Sequence, residues 1–173
     1  MEEESEPKAD KSGARTDALS LTLFPTRLSI GPTRVLLNWR LELSNNAQDH
    51  IVSLRIWSDM VSAHGSIPTE EQLGGPNLDE ARLHRIAMLA PFATESIAGE
   101  WQMPRDAVRP VDNAPESLIL PLARFRLIGA GIAPLRRAFV IGNPPAPGEE
   151  KLRPLHLDGS LQVHIRLAAR AVT

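Results

Sequence analysis

The chain has 173 residues, a formal net charge of −2, 42% hydrophobic and 23% charged residues, and no cysteine. That length suits one domain with a buried core, and the near-neutral balance excludes a general polyanion binder. The missing cysteine excludes disulfides, thiol nucleophiles, cysteine-based zinc sites and iron–sulfur clusters.

Residues 1–17, opening Met1-Glu2-Glu3-Glu4-Ser5-Glu6, are charged and small with no apolar periodicity. Such a segment buries too little surface to offset its ordering entropy, which predicts a disordered acidic tail ahead of a single β-sandwich domain over residues 18–173. The opening lacks the basic and apolar regions of a secretory signal, and no stretch reaches the roughly 18 apolar residues of a membrane span. A cytoplasmic location is the expectation. Periplasmic or membrane-anchored placement is the alternative if Met1 is not the native start.

Leu19, Leu21 and Leu23 alternate with Ser20 and Thr22; Pro25 then marks an edge or a bend, and Leu28 and Ile30 lead to a turn at Gly31-Pro32. Residues 34–44 carry the strongest signal. Val35, Leu37, Trp39, Leu41 and Leu43 fall on one side of a two-residue period, and Arg34, Asn38, Arg40, Glu42 and Ser44 on the other. That is an antiparallel sheet with one dry and one wet face. Residues 45–49 favour a turn, and residues 51–57 complete a hairpin with Val52, Leu54 and Ile56 expected on its inner face.

Trp57 falls on the opposite side from Val52 and Leu54, just ahead of a long connection over residues 58–80. An exposed Trp there is a good interface anchor, and connections of this length tend to be functional. Pro68 to Leu73 fits one helical turn with proline at its start. Strands resume over residues 83–89 and 94–103, the latter with Ile97, Gly99, Trp101 and Met103 on one face. Residues 104–115 read as loop. Leu118, Leu120 and Leu122 alternate in one phase and Ala123, Phe125 and Leu127 in the other, a slip that signals a bulge or a strand changing sheets. Phe139-Val140-Ile141 is a short strand. The last strand is expected to turn Leu161, Val163, Ile165 and Leu167 inward and Gln162, His164 and Arg166 outward. About eight strands with few helix signals predict an all-β, two-sheet antiparallel sandwich with one long loop.

The runs Leu41-Glu42-Leu43-Ser44-Asn45-Asn46 and Leu89-Ala90-Pro91-Phe92-Ala93-Thr94-Glu95-Ser96-Ile97, with the strand between them, resemble bacterial immunoglobulin-like domains over residues 19–103. The resemblance implies an immunoglobulin-like sandwich. The opening rhythm of Pro25-Thr26-Arg27, Asn45 and Trp57 is also similar to that of periplasmic pilus chaperones, which have two such domains where this chain has room for one. Neither resemblance transfers functional residues.

Asp59, Ser62, His64 and Ser66 are hydrolase residue types within the long loop, but without a Gly-x-Ser-x-Gly elbow or separate supporting elements they read better as turn residues. His50 lies in a turn and His84 in a strand; His156 and His164 approach each other around Asp158-Gly159, without metal-ligand spacing. Gly129-Ala130-Gly131 is a hairpin loop, lacking the third glycine and the helix of a dinucleotide site. No catalytic residue, metal or cofactor is expected. Arg124, Arg126, Arg136 and Arg137 flank that hairpin and converge on one surface if its strands pair, a donor set suited to carboxylates and phosphates, with a partner's acidic segment, an anionic lipid or the chain's own Glu2-Glu3-Glu4 tail as the candidate ligands. With few aromatics nearby, nucleic acid is not the expected partner. Residues 1–104 hold 9 Lys+Arg and 15 Asp+Glu, and residues 105–173 hold 10 and 6, an asymmetry that can orient a charged partner.

The expectation is a non-enzymatic protein-interaction or structural module whose contact residues are Trp57, His64, Arg124, Arg126, Arg136 and Arg137. Exposed strand edges also make a homodimer an option. The alternatives are a small-ligand-binding or hydrolytic domain using the 58–80 loop, and the soluble part of a membrane-anchored protein.

Overall fold

A computed structural model describes residues 18–64, 68–79, 81–108, 110, 118–157 and 161–172. The acidic segment 1–17, Ser66 of the long loop and the Asp158-Gly159 bend lie outside the described residues. The strands in chain order are β1 (Leu19–Ile30), β2 (Arg34–Asn45), β3 (Ile51–Ser62), β4 (Arg82–Leu89), β5 (Thr94–Pro104) and β6 (Leu118–Ile119). Then come β7 (Pro121–Ala130), β8 (Leu135–Gly142), β9 (Leu155–His156), β10 (Gln162–His164) and β11 (Ala168–Val172). A single helical turn, α1 (Thr69–Gln72), follows Pro68 as the sequence predicts.

Two antiparallel sheets form the sandwich, one ordered β10-β1-β2-β5 and the other β11-β8-β7-β3-β4; β6 and β9 make a separate ribbon. The chain crosses between sheets from β2 to β3 and from β4 to β5, which is the Greek-key wiring of immunoglobulin-like sandwiches. The strands outnumber the expected eight because the terminal ones are short and divided between sheets. The phase slip beside Pro121 is one such division: β6 ends at Ile119 in the ribbon, and β7 starts at Pro121 in the five-stranded sheet.

The alternation in β2 is realised without exception. Val35, Leu37, Trp39, Leu41 and Leu43 are all buried. Trp39 stacks on Trp101 with ring centroids 4.5 Å apart, and Phe125 meets both edge-on from the facing sheet. Gly99 lies opposite Trp39 on β5, where a Cβ would come within 2.7 Å of the indole; the large ring needs the missing side chain. Asn45, buried at the end of β2, donates from Nδ2 to the Asp49 and Leu89 carbonyls and accepts from the Ala47 amide through Oδ1. Its side chain thereby closes the turn into β3 and ties it to the end of β4. Pro25 sits where β1 has β2 on one side and β10, which reaches only Leu28 to Ile30, does not extend on the other.

Three expectations are corrected. First, Val52 points outward, and Ile51, Leu54 and Ile56 form the inner face of β3. The cause is a bulge: the pairing of β3 with β7 shifts between Val52 and Arg55, and Ser53 takes a left-handed φ of 52°. Second, β3 continues to Ser62, so the long connection begins later than residue 58. Third, Leu161, Val163 and Ile165 are exposed, while Gln162 and His164 turn inward. β10 pairs Gln162 with Ile30 and His164 with Leu28, both fully buried, and cross-strand partners share a face. The chain then leaves this sheet and joins the other as β11, so one alternation cannot hold across residues 161–172.

That inversion buries part of a histidine. Burial, and secondarily the charge of His156, hold the His164 pKa below its usual 6.5. A depressed histidine pKa means that the unfolded chain binds the proton more readily. His164 therefore costs no stability above about pH 6.5, and stability falls as the pH drops from there through the lower folded value. In His164→Gln this part of the acid-side decline in urea midpoint, measured between pH 7.5 and 5, is expected to disappear. An unchanged profile would show that His164 does not contribute.

Candidate basic face of the five-stranded sheet

The outer face of the five-stranded sheet collects residues that are distant in sequence. Across one row, Leu83 of β4, Trp57 of β3, Arg126 of β7 and Arg136 of β8 are successive cross-strand partners. In the next row, Arg85, Arg55 and Ile128 align in the same way. Arginine thus faces arginine twice, Arg55 against Arg85 and Arg126 against Arg136, an arrangement that repels. Among the described residues no carboxylate pairs with any of the four. The Arg55 guanidinium lies 5.2 Å from the half-buried Trp57 ring, a cation–π contact that orients its donors.

Of the four arginines expected to converge, the register brings Arg126 and Arg136 together, and it sets Trp57 beside them, which the sequence does not suggest. Arg55 and Arg85 add to them. Their signal in the sequence is an arginine two residues before Trp57 and another in the next strand, but only the strand register shows that they face each other.

The other expected contact residues have different surroundings. Arg124 lies directly opposite Asp59 and is held by it through two hydrogen bonds, Nε to Oδ1 at 2.8 Å and Nη2 to Oδ2 at 2.5 Å. The two side chains are only 12% and 15% exposed. Asp59 Oδ2 also accepts the backbone N–H of Asn77 at 3.1 Å, which pins the returning arm of the long loop over the pair. Gly75 of that arm, with φ of 96°, packs against the Arg136 side chain. Arg137 lies in the other phase of β8 and donates to the Arg136 carbonyl at 3.0 Å. His64 is half-buried at the start of the loop, where its backbone N–H and C=O bond both ends of the Gln72 amide, at 3.2 and 2.9 Å. Asp59, the carboxylate nearest His64 in sequence, is thus engaged by Arg124 and Asn77. Ser62 Oγ contacts Met103 Sδ at 3.8 Å.

Two concavities adjoin these residues. One, of about 390 Å³, lies where β4 stops at Arg82 and leaves the end of β3 beside β5; Asp59, Asn77, Arg82, Gln102 and Arg124 line it, and Trp101 Nε1 donates to the buried Ser58 Oγ at its base. The other, of about 670 Å³, lies at the Ser53 bulge, with Arg55 and Arg85 among the residues that line it. No group of three or more His, Asp or Glu positioned to hold a metal occurs among the described residues. No described helix is long and apolar enough to cross a membrane.

No family model matches the sequence, and no curated protein matches it. Among solved structures, the chain is similar to Bacteroides uniformis β-glucuronidase 2 covalently bound to cyclophellitol-6-carboxylate aziridine, with 13% identity, a TM-score of 0.40, and coverage of 77% of this chain and 14% of that one. It is likewise similar to a Bacteroides uniformis β-glucuronidase, with 14% identity, a TM-score of 0.40, and coverage of 76% of this chain and 14% of that one. The chain thus spans about one seventh of the length of either glucuronidase chain.

Proposed function

We propose that this domain is a non-enzymatic interaction module and that the outer face of its five-stranded sheet, centred on Trp57, binds an acidic surface of another protein. The observation that carries this reading is the double opposition of Arg55 to Arg85 and of Arg126 to Arg136. Like charges directly opposite each other on a sheet destabilise it, and no carboxylate among the described residues neutralises these. A partner carboxylate seated between two guanidinium groups removes the repulsion and gains forked, charge-assisted hydrogen bonds. Trp57 supplies the apolar anchor beside them.

Protein is favoured over nucleic acid because the face offers one aromatic ring, already engaged by Arg55, where single-stranded nucleic acid is held by successive stacking platforms. The formal net charge of −2 points the same way. Affinity capture from native lysate, with the full chain as bait, tests the reading. A protein retained by the wild type at low salt, weakened at moderate salt, and lost with Trp57→Ala/Arg126→Glu is the expected result. Equal retention by bait and variant would refute it, as would retention of nucleic acid alone.

A further inference from the structure

We infer that the cavity at the Ser53 bulge takes a carboxylate carried on an apolar body, presented by an acidic peptide segment of the protein partner; this rests on the reading of the five-stranded face as the contact face. The extra residue Ser53, in its left-handed conformation, shifts the pairing of β3 with β7 and opens the sheet surface. The resulting cavity of about 670 Å³ falls within the range of specific ligand pockets. Arg55 of β3 and its cross-strand partner Arg85 of β4 line it, and Ile128, Gly129 and Ala130 line it from β7. Two guanidinium groups beside apolar walls are complementary to an anion that brings its own apolar surface.

The surroundings extend the match along the strands. Past the cavity, Val52 and Met88 are directly opposed and exposed, at 41% and 54%. In the other direction lie Trp57 and Leu83. Apolar, cationic and again apolar groups thus follow one another from residue 52 to residue 57, a stripe on the order of 15 Å at strand rise. That length fits an extended peptide with an acidic residue between two large apolar ones better than it fits a lone small acid.

The test uses the ¹⁵N-labelled full chain and three probes: acetyl-Gly-Phe-Gly-Glu-Gly-Leu-Gly-amide, its Gln counterpart, and octanoate. The glutamate peptide is expected to shift the Ser53, Arg55, Arg85 and Gly129 amides saturably, with the Gln counterpart binding about 10-fold more weakly. Arg55→Lys/Arg85→Lys, which keeps the charge but removes the forks, is expected to weaken the glutamate peptide by about 10-fold as well. Shifts confined to Trp57, Arg126 and Arg136 would overturn the cavity assignment and leave the contact face standing. No saturable shift anywhere on the sheet would overturn both. Octanoate shifting the cavity amides where the peptide does not would show a site for free acids and overturn the peptide assignment.

Discussion

Asp59→Ala is expected to destabilise the fold by about 3–5 kcal/mol, because it strands the Arg124 guanidinium in a mostly buried position with no counter-charge. The same substitution removes the acceptor for the Asn77 amide and frees the loop arm that covers the pair. Replacing both partners together, as Asp59→Leu/Arg124→Leu, leaves no orphaned charge, and its stability should return to near that of the wild type. Urea denaturation of the two variants checks this. A cost below about 1 kcal/mol for Asp59→Ala would mark an ordinary surface pair. Arg124 would then be available as a contact residue rather than as the tie between β7, β3 and the long loop.

Arg126→Glu is expected to act in opposite directions on folding and on binding. It converts a repulsive cross-strand pair with Arg136 into an attractive one, which should stabilise the sheet by about 1 kcal/mol. For a domain of this size that corresponds to a rise in Tm of about 2–4 °C. The same change places a carboxylate beside Trp57, where an acidic partner must dock, and removes one forked donor. Binding should fall by at least about 10-fold, mostly through repulsion that slows encounter and abolishes a charge-assisted contact. A stability gain coupled to a loss of binding is the mark of a residue retained for function. Loss of both would instead point to a structural role.

Much of this architecture is legible in the residues because period-two alternation reports burial directly. Val35 to Leu43 define a dry face whatever strand lies beside them, and Asn45 closes its turn through local hydrogen bonds. What escaped sequence reasoning depends on register. Arg124 and Arg126 share a face and look equivalent, yet the pairing of β3 with β7 sets Asp59 against one and Trp57 against the other. Arg55 and Arg85 join the site only because β3 and β4 align them. Ser53 carries no residue-type signal for a left-handed bulge, so alternation alone places Val52 in the wrong phase. The terminal strand misled for a related reason. Its apolar residues alternate cleanly, but β10 and β11 belong to different sheets, and the inner side of residues 162–164 is set by Leu28 and Ile30 rather than by the strand's own pattern.

The central claim is that the arginine rows around Trp57 are kept for a partner against the preference of the sheet itself. Measuring Arg126→Glu for both urea midpoint and retention of the captured protein, on one preparation beside the wild type, tests it most directly. The account predicts a higher midpoint with the partner lost. A variant that keeps the partner, at whatever midpoint, would contradict it.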